Sequence, residues 1–103
     1  MGKSAGLLAI LLALGTGPAA AGEASEAVKR TCRSVSAQTA RTIALALRAN
    51  IDPATQVKKV PDSWLEGVQA HMLLAASRAP HLTEEELASL GYSHCVARRP
   101  SDR

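Results

Sequence analysis

The sequence contains no phenylalanine, one tryptophan (Trp64) and one tyrosine (Tyr92). A core built from layers of rings is therefore excluded, and so are the aromatic platforms on which nucleic-acid binders stack bases. No stretch alternates apolar and polar residues for long enough to form a strand. Cysteine is scarce: Cys32 and Cys95 make no CxxC pair, and His71, His81 and His94 make no HxxxH pair. The spacing therefore gives a metal centre no support. Charge of one sign is also lacking. The formal net charge is +3, but eight basic side chains balance eight acidic ones between residues 22 and 97. The excess lies in Lys3 and in the tail Arg98-Arg99-Pro100-Ser101-Asp102-Arg103. A neutral body with a short basic tail speaks against nucleic acid as a partner, and two adjacent arginines fall short of a membrane-binding polybasic run.

One long hydrophobic run is present, and it is at the start. Met1-Gly2-Lys3 is a short basic lead, Ala5 to Leu14 is apolar apart from Gly6, and Gly15-Thr16-Gly17-Pro18 breaks the run. Ala19-Ala20-Ala21 supplies small residues at the positions a signal peptidase reads. Residues 1–21 thus read as a signal peptide, cleaved after Ala21 or Gly22. The run is shorter than the roughly 20 residues of a spanning helix. No cysteine stands at the cleavage point to take a lipid. Retention of the segment as a membrane anchor is the alternative, and it would make the protein a tethered accessory. Cleavage leaves about 80 residues, room for one small domain over 22–97 followed by a flexible basic tail, 98–103.

A domain of this size has a marginal core, and its apolar content is rich in alanine, which favours helix but buries little area. An even cysteine count in an exported chain implies a disulfide, and Cys32–Cys95 is the one possible pairing. It would close a loop of about 64 residues, worth about 4 kcal/mol in the loop-entropy model.

Helix signals fill the rest. Glu23 to Ala49 reads as one long helix with Ser25 as cap and Glu26 in the first turn. Val28, Cys32, Val35, Thr39, Ile43 and Ala46 form its inward stripe. Asn50 suits the left-handed residue that ends a helix, with Ile51 folding back over the last turn. Asp52-Pro53 restarts the chain, for two turns at most before Pro61. Ser63-Trp64-Leu65-Glu66 reads as a capping box for a helix from Trp64 to Arg78 with an inward stripe of Leu65, Val68, Met72, Ala75 or Ala76, and Ala79. Thr83 to Glu86 reads as a second box, opening a short helix to Leu90 with Gly91 as its cap. If the Trp64 helix returns antiparallel to the first, the last helix brings Cys95 to Cys32. The expected fold is all-α, a bundle of three to four helices closed by one disulfide.

Candidate chemistry is thin. His94 adjoins Cys95, but sequence neighbours rarely place imidazole against thiol, and an oxidised cysteine is no nucleophile. His71 reads as half-exposed on a helix edge, His81 and His94 as loop residues. Glu84, Glu85 and Glu86 form the one acidic cluster, at a helix start where the dipole attracts acids. Trp64 reads as a cover for the open end of the core.

The cysteine in a long alanine-rich helix, the stop Arg48-Ala49-Asn50-Ile51-Asp52, the turn Ala79-Pro80-His81-Leu82-Thr83-Glu84-Glu85 and the closing Cys95 together form a pattern. It resembles small, uncharacterised exported helical proteins of proteobacteria that carry a single disulfide, over residues 28–96. Asn50 stands where that pattern has glycine. The resemblance implies no activity, cofactor or metal. Periplasmic acid-stress chaperones share the general build, as do toxin-neutralising immunity proteins, to one helix of which Ser63 to Val68 is faintly similar. The expectation is an exported, periplasmic or secreted, non-catalytic module that binds another protein. A chaperone or immunity-like protein is the first alternative and a thiol- or metal-dependent enzyme the second.

Overall fold

In the computed structural model, which describes residues 23–101, three α-helices and one turn of 3-10 helix are the regular elements, and no strand occurs among the described residues. The expected signal segment, 1–21, and the last two residues of the tail lie outside this range. No described helix is long and apolar enough to cross a membrane.

Helix α1 (Glu26–Arg48) starts where the Ser25 hydroxyl accepts the Val28 N–H at 3.1 Å, with Glu26 beside the positive end of the dipole. Cys32, Thr39, Ile43 and Ala46 face inward as expected, whereas Val28 and Val35 are only half-buried. Ser36 and Ala40 take buried places instead, because small side chains let a neighbouring helix approach closely. The helix ends in a Schellman turn. Asn50 is left-handed (φ 59°), the Ile51 N–H reaches the Ala46 carbonyl at 2.8 Å, and the Asn50 N–H reaches that of Leu47 at 3.2 Å. Ile51 folds back through its amide while its side chain stays exposed.

Asp52 caps the next element, accepting the Ala54 N–H at 3.1 Å, and Pro53–Thr55 is a single 3-10 turn, within the expected limit of two turns. The chain beyond it is drawn out, and buried Gln69 holds it there. The Gln69 amide oxygen accepts the Val60 N–H (3.1 Å), and its nitrogen donates to the Lys58 carbonyl (3.0 Å) and the Thr39 hydroxyl (3.4 Å). All buried side-chain polar atoms among the described residues are satisfied.

Helix α2 (Ser63–Arg78) is capped by Asp62, which accepts the Leu65 N–H at 3.0 Å, and not by Ser63 as the capping-box reading has it. A carboxylate at this position adds a full charge opposite the helix dipole, which a hydroxyl cannot. The inward stripe is Leu65, Val68, Gln69, Met72 and Ala76; Ala79 is the C-cap and half-buried.

The direction of α2 also differs from expectation. Gln69 meets Thr39, and farther along Leu73 and Ala76 lie with Leu47, so α2 climbs in the same sense as α1. The intervening chain makes this possible. Returning from Arg48 to the level of Cys32 takes about 24 Å, and about 14 residues at up to roughly 3.3 Å each span that distance with slack.

Helix α3 (Glu84–Ala97) then runs down against both. Thr83 and Glu86 form the expected reciprocal capping box (2.8 and 3.1 Å). The helix does not stop at Leu90: it continues through Gly91, and His94, expected in a loop, is on its last turn. Leu87, Gly91 and Cys95 form one buried line at four-residue spacing. A β-carbon on Gly91 would collide with the Met72 side chain, so this glycine serves helix contact rather than helix termination. Among the described residues the helix count is therefore three. α1 and α3 share the most extensive interface, and the Cys32–Cys95 disulfide staples them, with Cα atoms 5.6 Å apart and both residues wholly buried.

Candidate functional site

Both predicted disulfide residues are in the bond expected of them. The Trp64 indole N–H donates to the Cys95 carbonyl at 2.9 Å. The half-buried side chain packs against the core, and it also ties the start of α2 to the staple. With Cys32 and Cys95 joined, neither sulfur is a nucleophile, and His94 faces another imidazole. The His71 and His94 rings stack across the α2–α3 joint with centroids 3.9 Å apart and planes within 10°. Nitrogen lone pairs lie in the ring plane, so two parallel rings do not converge on one ion. Among the described residues, no three His, Cys, Asp or Glu side chains gather into a metal-holding group.

His94 is held below its ordinary value near 6.5, first by burial, then by His71 and Arg98. Sequence reasoning missed this pair. Its signal was available only once α2 and α3 were known to run antiparallel, which sets position 71 against position 94.

Glu86 is occupied by the capping box, while Glu84 and Glu85 border a wide hollow of mixed polar and apolar lining with Arg48, His81, Leu47 and Leu82. Arg98 forms the C-cap of α3, and the Arg99 guanidinium donates to the Val96 carbonyl at 2.7 Å, so the tail is anchored where it leaves the helix.

The chief apolar cleft lies between the returning chain and α2. A hollow of about 370 Å³ is lined by Ala54, Val57, Ala70 and Leu73, with Lys59 and Glu66 at its rim. A second, of about 160 Å³, continues past the shared Ala54 and Leu73 to Leu47, Pro53 and Ala76. The groove exists because the 3-10 turn stands off from α2 and alanines replace larger side chains along it. The sequence shows those alanines but not the return of residues 53–60 alongside them. Ile51, next to the lining residues Asp52 and Pro53, is 43 % exposed, and Leu74, beside Leu73, is 48 % exposed.

Among known proteins, no family model matches the chain, no curated protein is similar to it, and no solved structure matches it. The likeness to small exported proteins of proteobacteria thus rests on helix caps and cysteine placement alone.

Proposed function

We propose that this chain is an exported, non-catalytic binding module whose Leu73 groove receives a short apolar segment of another protein. The groove carries the reading: an apolar trough with a sparse charged rim. Two features support export. A wholly buried disulfide belongs to an oxidising compartment. The opening segment has the basic, apolar and small-residue order of a cleavable signal.

The test has two stages. Intact mass of the protein from the exported fraction, alkylated with and without reduction, is expected to show a chain lacking residues 1–21 that takes up label only after reduction. A photo-reactive side chain at Ala70 is then expected to give one discrete protein adduct, lost on Leu73→Asp and on Ala54→Glu while the helical circular dichroism is unchanged. A retained leader with free thiols overturns export, and an adduct indifferent to both groove variants overturns the binding site.

A further inference from the structure

The disulfide joins α3 to α1 and leaves α2 without a covalent tie. α2 is held to α3 by apolar packing around Met72 and Leu87, by the Trp64 indole on the Cys95 carbonyl and by the face-to-face contact of His71 with His94. That contact joins two imidazoles, each of which gains a positive charge when it takes up a proton. We propose that the His71–His94 stack is a proton-sensitive latch, which holds α2 against the stapled α1–α3 pair at neutral pH and releases it on mild acidification.

The charges around the pair allow this. His94 on α3 faces His71 from α2 and has Arg98 one turn on along its own helix. On α1, the charged residues flanking Cys32 are Lys29, ion-paired with Glu26 at 3.6 Å, and Arg30 and Arg33, both exposed; none of them acts on His94. No carboxylate partners either ring among the described residues, so nothing offsets a second positive charge. Two imidazolium rings at a 3.9 Å centroid distance repel each other, which opposes the contact that α2 and α3 make through them.

The sign follows from burial and like charge. Because His94 is held below 6.5 in the closed state, an opened state binds more protons as the pH falls. The stability that the neutral ring contributes is whole above pH 6.5 and is lost as the pH falls through the lowered closed-state value. Opening exposes Val68, Met72 and Leu87 while the disulfide keeps α1 and α3 together.

The experiment compares the oxidised protein at pH 7.5 and pH 5.0, a range that avoids most carboxylate titration. Thermal melts of the wild type are expected to fall by about 5 °C at pH 5.0. His94→Gln and His71→Gln are each expected to remove most of that difference. Amide exchange is expected to speed up along α2 at pH 5.0 but not in α1 around Cys32. In the wild type, the imidazole resonances of both rings, followed by NMR, are expected to titrate as a coupled pair. The proposal is overturned if the melts do not depend on pH, if both variants keep the wild-type dependence, or if the two rings titrate independently at ordinary values. The NMR titration decides the matter even if a variant fails to fold.

Discussion

Gly67 and Gly91 both stand inside helices, in opposite surroundings. Gly67 is exposed on α2 with open space where a β-carbon would go, whereas Gly91 is buried against Met72. Gly67→Ala is therefore expected to stabilise the protein by about 1 kcal/mol, the helix-propensity difference. Gly91→Ala gains the same propensity but overpacks a filled site, where added methylenes cost about 1–3 kcal/mol, so a net loss is expected. Urea melts of both variants measure this. In a Met72→Ala background the sign at position 91 is expected to reverse, because the colliding side chain is gone. Gln69 makes the same point with a polar residue. Its composition suggests a surface position, yet three hydrogen bonds to distant chain make it buried and structural.

At the scale of the element, capping chemistry was the most legible part of the sequence. Ser25, Asn50, Asp52 and Thr83 each do what their position in the chain predicts. The start of α2 was ambiguous because Asp62 and Ser63 are adjacent and both are good caps. Removal of the true cap is expected to cost about 1 kcal/mol, so Asp62→Ala should lower the urea midpoint while Ser63→Ala leaves it nearly unchanged. The reverse order would return the cap to Ser63. The end of α3 lies beyond the expected stop at Gly91 for a different reason. Glycine is a stop signal only where its backbone turns left-handed, and Gly91 stays helical because Leu87, Gly91 and Cys95 form one contact line.

For the whole molecule, the disulfide sets both stability and the pattern of opening. Reduction, or Cys32→Ala with Cys95→Ala, is expected to cost about 4 kcal/mol, read as a drop in unfolding free energy by urea titration. Reduction by dithiothreitol is expected to be slow in native buffer and fast in denaturant, because both cysteines have 0 % exposure. Rapid native reduction would mean that the α1–α3 interface opens easily. The pH response belongs to this scale as well, since it depends on which helix the staple leaves untied.

The sequence by itself determined the helical class, most helix starts and the pairing of the two cysteines, because caps and periodicity act within a few residues and two cysteines allow one bond. Only the tertiary structure decided the direction of α2, the groove at Leu73, the close approach at Gly91 and the meeting of His71 with His94. Each of these depends on the path of the connection between α1 and α2. That path is fixed by Gln69 bridging to Thr39, Lys58 and Val60, contacts between residues nine to thirty positions apart. Local preferences carry no information about partners so far away along the chain.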